Sequence, residues 1–248
     1  MNLFWEAIQW LFSPDRLAGA NAIPVRVLEH LFYTLVSLGV ATIIAVPIGY
    51  LIGHSGRGRE LTVALSGAAR ALPSLGLLAI LALGLGIARA PLAAVIVLLL
   101  LGVPSILAGA YAGVQAIDRA TIDAARAIGM TEWQILVRVE IPLGLPLLLG
   151  GIRNAALQIV ATTTLAAYVG LGGLGLYIFA GLAVRDYSQM LGGAILIALL
   201  ALALDAVFAV VQKYSAPQGV NASRTKDVRA RSSRLRTVMG TAIEQGKG

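Results

Sequence analysis

The chain has 248 residues, 58% of them hydrophobic and only 12% charged, with a net charge of +7. Soluble domains carry roughly a quarter charged residues, so this composition falls outside their range, and it is far too apolar for disorder. The lack of cysteine excludes a disulfide framework, an iron–sulfur cluster and a thiolate zinc site.

Residues 1–28 read as an N-terminal interfacial segment. MNLFWEAIQWLF places Trp5, Trp10 and Phe12 beside the acid Glu6, which suits a membrane–water boundary. It has neither the basic start nor the small-residue cleavage pattern of a secretory signal. Charge-poor stretches then follow, each near the roughly 20 residues that cross a bilayer. They predict spans near 30–53, 70–88, 91–114, 143–168 and 188–212. The expected fold class is therefore an all-α membrane protein with about five transmembrane helices, its membrane domain covering 29–214. The stretch 169–182, VGLGGLGLYIFAGL, is too short and glycine-rich to cross alone and reads as a re-entrant or interfacial segment.

Lys and Arg weigh most heavily on 54–60, 115–142 and 213–248. The positive-inside rule then puts the N-terminus outside and the C-terminus in the cytoplasm. The tail 215–248 holds six basic residues and one acid between Arg224 and Arg236, and reads as solvated and disordered beside anionic lipid. Without aromatic interleaving or a fold of its own it is not expected to bind nucleic acid.

Residues 117–142, IDRATIDAARAIGMTEWQILVRVEIP, are too apolar for a loose loop and too charged for lipid. Asp118 can cap a helix from Arg119 to about Ala127, with Arg119–Asp123 and Asp123–Arg126 as side-chain pairs. Gly129 stands where a left-handed terminating residue is wanted. Thr131 and Gln134 have capping-box spacing for a second helix through Glu140, which Pro142 is expected to end by pushing Ile141 out of the helical region. Ile122, Met130, Trp133, Ile135 and Val139 give this elbow apolar surface for a partner.

Polar residues inside spans mark function or packing. Asn154, Gln158 and Thr162 recur every fourth residue and, with Tyr168, make a polar stripe that either lines a translocation path or bonds helices together. Pro47, Pro73 and Pro104 lie within predicted spans; the pairs Pro73–Ser74 and Pro104–Ser105 are hinges or static bends. Gly49 with Gly53, and Gly109 with Gly113, form GxxxG pairs suited to close helix packing. Asp205, the acid within a span, reads as hydrogen-bonded or paired with a neighbouring helix, or else as a transport residue. Arg153 reads as snorkelling from a span end. His30 and His54 flank the first span at opposite ends and cannot share a metal, so no metal or catalytic set is expected. Gly170 to Gly175 matches GxGxxG without the strand a dinucleotide site needs, and no P-loop is present.

The run Asp123-Ala124-Ala125, then Gly129, then Ile141-Pro142, resembles the EAA signature of ABC-importer permeases, E-A-A-x3-G-x9-I-x-L-P, with Asp for Glu and Ile141-Pro142 adjacent at its end. Leu28-Glu29-His30, Leu72-Pro73-Ser74-Leu75, Val103-Pro104-Ser105-Ile106, Gly151-Ile152-Arg153, Gly170-Leu171-Gly172-Gly173-Leu174-Gly175, Gly181-Leu182 and Asp186-Tyr187 resemble its glycine betaine/carnitine/choline branch. The resemblance implies a type I, methionine-importer-like permease fold in the bacterial cytoplasmic membrane. It implies ATPase coupling through Asp123, Ala124, Ala125, Gly129, Ile141 and Pro142. Ser74, Asn154, Gln158, Thr162 and Tyr168 would line the path, and Gly170, Gly172, Gly173 and Gly175 would form an outer gate. The implied partners are two ABC ATPases carrying ATP and Mg, a second permease chain, an extracytoplasmic solute-binding protein and membrane lipid; this chain would bind no cofactor and catalyse nothing. A methionine or other amino-acid importer is the near alternative. A secondary transporter, for which no inverted repeat or intramembrane charge chain is visible, and an intramembrane enzyme rank behind.

Overall fold

The computed structural model describes residues 2–58, 60, 64, 67 and 73–215; the basic tail 216–248 and residues 70–72 of the predicted second span lie outside the described residues. The described elements are helical, in the order α1 (Leu3–Leu11), α2 (Ile23–Ser55), α3 (Ser74–Leu85), α4 (Ala90–Gln115), α5 (Arg119–Ala127), α6 (Glu132–Ile135), α7 (Ile141–Ala166), α8 (Gly175–Val184) and α9 (Tyr187–Ser215).

Four helical runs among the described residues are long and apolar enough to cross a membrane: Ile23–Ser55, Ile87–Gln115, Glu132–Val169 and Tyr187–Ser215. Backbone groups in lipid must be bonded within the segment, and an unbroken helix does this. Pro24 and Pro91 fall in the first turns of α2 and α4, where a missing N–H costs nothing. Gly56, at φ +68°, ends α2.

Several expectations are corrected. The first span starts at Ile23, so 23–28 belong to α2 and not to the N-terminal segment. The second predicted span is represented by α3, whose 12 residues reach only about 18 Å. Pro73 is not inside a helix; it precedes α3 with φ −70° and ψ 98°, the extended geometry that starts a helix instead of bending one. Pro142 does not end a helix. Leu136–Glu140 forms a π-turn in which the Ile141 N–H donates to Leu136 O, and Ile141 itself is helical at φ −59°, ψ −52°. The wider turn carries the helix past a proline that has no N–H to give, so α6 runs on into α7. Pro47, Pro104 and Pro146 also sit inside helices.

The core lies where α2, α4 and α7 cross. Leu38, Ala41, Ala45, Ile106, Ala110, Ala155 and Ile159 fill it. The expected GxxxG packing is present: a Cβ on Gly49 would stand 2.6 Å from Ala110 Cβ, and one on Gly109 2.8 Å from Gly151 Cα. Trp10 of α1 lies against Gly192 of α9 and edge-on to Tyr177 of α8, with centroids 5.0 Å apart. Phe4, Trp5 and Phe12 remain exposed.

Candidate functional site

The elbow is built from local bonds. The Asp118 side chain accepts from the Ala120 N–H at 3.0 Å and starts α5. Gly129, at φ +87°, ends it in a Schellman turn: Gly129 N–H donates to Arg126 O, and Met130 N–H to Ala125 O. Thr131 and Gln134 then complete a reciprocal capping box. Asp123, Ala124, Gly129 and Pro142 are exposed, whereas Ala125 is turned inward, so Ala124 is the member of that pair on show. Ile128 and Trp133 stand out at 80% and 70% exposure, which makes an apolar face on a charged element. Counting nine residues from Gly129 places Val139 and Ile141 at the Ile and Leu positions of I-x-L-P, so the ending is V-x-I-P and not a bare Ile-Pro.

Charge links the elbow to the end of α2. Arg126 donates to both Glu132 oxygens at 2.8 and 3.1 Å, which holds its guanidinium above the ordinary pKa. Its Nη1 lies 3.5 Å from Asp123, the expected pair; the Arg119–Asp123 pair also expected from the spacing is not formed among the described residues. Glu132 lies 3.4 Å from His54 Nε2, and His54 Nδ1 lies 2.7 Å from Glu140 Oε2. Glu140 is buried. Nearby, Gln115 Nε2 donates to Gly53 O at 3.0 Å, tying the ends of α4 and α2.

A second polar cluster holds the glycine-rich segment at the other end of α2. Gly170, Gly172 and Gly173 all have positive φ, while Gly175 opens α8 against the Thr164 carbonyl. Glu29 Oε2 accepts from Gly173 N–H at 2.8 Å and from Arg26 Nη1 at 2.6 Å. His30, fully buried, accepts from Leu174 N–H at Nδ1, which leaves Nε2–H to donate to Val160 O at 3.0 Å. α8 has ten residues, too few to cross a membrane alone. A Cβ on Gly172 would lie 2.5 Å from Glu29 Oε2, and φ there is +80°. Gly172→Val should therefore cost about 2 kcal/mol or more in thermal unfolding, from clash and strain together; an unchanged midpoint would contradict the clamp.

The polar stripe divides. Gln158 pairs with Ser105 of α4, whose Oγ donates to its Oε1 at 3.4 Å, so it bonds helices together beside Pro104. Asn154 and Tyr168 are exposed and Thr162 half-buried, a face open to a path or another chain. Ser74 sits at the start of α3, and among the described residues no hydrogen bond brings it to the stripe. Arg153 does not snorkel: it forms a two-bond pair with Asp205 of α9, both at 2.6 Å. Asp205 is thus paired with a neighbouring helix, one of the readings its sequence position allowed, but its partner and the His54 chain were missed in sequence, because their members stand 52 and 86 positions apart.

The family model described as "Binding-protein-dependent transport system inner membrane component" matches residues 45–218. The carnitine transport permease protein OpuCB of Listeria monocytogenes is 34% identical, covering 88% of this chain and 98% of its own. The glycine betaine/carnitine/choline transport system permease protein OpuCB of Bacillus subtilis is 33% identical over 77% of this chain and 88% of that protein. The osmoprotectant import permease protein OsmW of Salmonella typhimurium is 34% identical, with 82% and 96% covered. Among solved structures, an inward-facing MetNI methionine ABC transporter chain superposes with a TM-score of 0.68 at 21% identity, covering 79% of this chain and 96% of that one. At that identity the likeness concerns the fold.

Proposed function

We propose a transport function from one premise: the chain belongs to the family of binding-protein-dependent transport system inner membrane components. It is the membrane permease of an ABC importer in the osmoprotectant branch, with the type I importer fold. Its solute is a compatible solute such as glycine betaine, carnitine or choline.

The elbow is the observation that carries the mechanism. It is capped at both helix starts, closed by a Schellman turn, and presents Ile128 and Trp133 beside the exposed Asp123. A rigid apolar knuckle of this kind suits docking into a groove on another protein. In this reading two ATPase subunits, holding ATP and Mg, grip the elbows of two permease chains from the cytoplasm. Their closure tilts the helices between two access states, while a solute-binding protein delivers substrate outside. A nucleotide drives this only by differential affinity for the two states. The exposed Asn154 and Tyr168 and the half-buried Thr162 supply a neutral polar face suited to a zwitterion such as glycine betaine or carnitine.

Gly129→Pro tests the docking. Proline cannot adopt φ +87° and removes the N–H donated to Arg126 O. Membrane insertion should persist while co-purification with the ATPase falls about tenfold or more; undiminished co-purification would place docking elsewhere. Titrating the cognate binding protein with glycine betaine and with methionine decides the solute.

A further inference from the structure

α2 is gripped at both ends. At one end Glu29 and His30 hold the backbone of Gly173 and Leu174; at the other His54 meets the elbow through Glu140 and Glu132. The helix that carries both is one run of 33 residues, and from His30 to His54 it rises about 36 Å. Both elements flanking α7, the elbow before it and the glycine-rich segment after it, are thus fastened to a single rod.

The elbow fastening has a particular chemistry. Both ring nitrogens of His54 face carboxylate oxygens, at 2.7 and 3.4 Å. Neutral imidazole donates from one nitrogen only, whereas imidazolium donates from both. Among the described residues the charged groups facing the ring are Glu140 of the π-turn and Glu132 of α6, with Arg126 of α5 on the far side of Glu132 and Asp123 beyond it. α4 brings only the neutral Gln115, whose amide is bonded to Gly53 O. The chain of contacts therefore runs from exposed Asp123 through Arg126 and Glu132 to His54, which joins it to buried Glu140. Sequence alone gave His54 no role.

We propose that His54, through its contacts with Glu140 and Glu132, is the positioning residue that fastens the elbow to α2, so that displacement of the elbow is carried along α2 to the glycine-rich segment. The inference rests on the transport reading above and names the part that makes the elbow's motion felt at the far end of the bundle. His54 touches neither solute nor nucleotide. It transmits movement.

The test uses the full chain assembled with its ATPase subunits and a glycine betaine-binding protein in proteoliposomes. Because the natural chain has no cysteine, Leu92→Cys with Leu182→Cys gives one spin-label pair across the glycine-segment end. In the otherwise wild-type chain, trapping the ATP-bound state should change the distance between the labels. In His54→Gln that change should vanish and ATP-driven glycine betaine uptake should fall about tenfold, while ATP hydrolysis continues. Glu140→Gln, of nearly equal volume, should reproduce the loss if His54→Gln folds poorly. A parent chain that holds no ATPase would sink the transport reading and this inference with it. An assembled parent whose distance change survives intact in both variants would overturn the inference alone.

Discussion

Gly113→Leu should destabilise the folded chain by about 3 kcal/mol or more. A Cβ at this position would stand 2.6 Å from Gly144 O and 3.1 Å from Gly144 Cα. Those atoms are backbone, so no side chain can swing aside, and α4 and α7 would have to part. The same crossing continues at Gly109 and Gly151, where added Cβ atoms would meet the opposite Cα at 2.8 and 2.9 Å. In lipid no hydrophobic force drives helices together, and van der Waals contact at such close crossings supplies much of the association. Opening the crossing therefore loses the attraction along its length, including the contact between Ser105 and Gln158. Gly39→Leu is the control, since Gly39 has nothing within 4 Å; it should leave the melting temperature in detergent nearly unchanged. Equal melting temperatures for the two variants would show that the crossing is not close-packed in solution.

This crossing was partly legible in sequence. Gly109 and Gly113 announce a small-residue face, yet they do not say which helix meets it; Gly144 and Gly151, seven residues apart, form no GxxxG pair. The elbow was legible nearly to the residue, because a capping aspartate, a left-handed glycine and a capping box are made within a few residues of chain. Reading failed at Pro142 for a local reason too. The rule that a residue before proline leaves the helical region competes with a π-turn, and composition does not signal which prevails.

What sequence could not give was the pairing of distant polar groups. Glu29 and His30 stand out as charged or titratable residues at a span end, but their targets are the backbone N–H groups of Gly173 and Leu174, each 144 positions away, in a segment turned by the positive φ of Gly172 and Gly173. His54 looked like a residue marking a span boundary until Glu140, itself placed by the π-turn, came within 2.7 Å. In each case a helix end is the meeting place. Backbone groups there are unsatisfied, chain direction changes, and long side chains can reach a neighbour, so fold and candidate site are decided together.

The strongest electrostatic dependence expected is that of α9 on Arg153. Nε and Nη2 of Arg153 donate to the two carboxylate oxygens of Asp205, both bonds at 2.6 Å, between two helices that are each long and apolar enough to cross the membrane. Either charge alone in a span is costly, and removing one partner leaves the other exposed to that cost. Arg153→Met and Asp205→Leu should each lower the melting temperature and the yield of folded chain sharply. The double variant should recover most of the loss, because two apolar side chains leave no charge to solvate. Arg153→Lys should rescue only in part, since a single ammonium cannot make the two parallel bonds. The cycle separates this account from the other reading of an intramembrane acid, a group that takes up and releases a proton during transport. A transport role predicts that the double variant folds and assembles but imports no solute at any pH. A fastening role predicts that it folds, assembles and imports, because the task of the pair is to hold α9 against α7 and apolar contact can do that in its place.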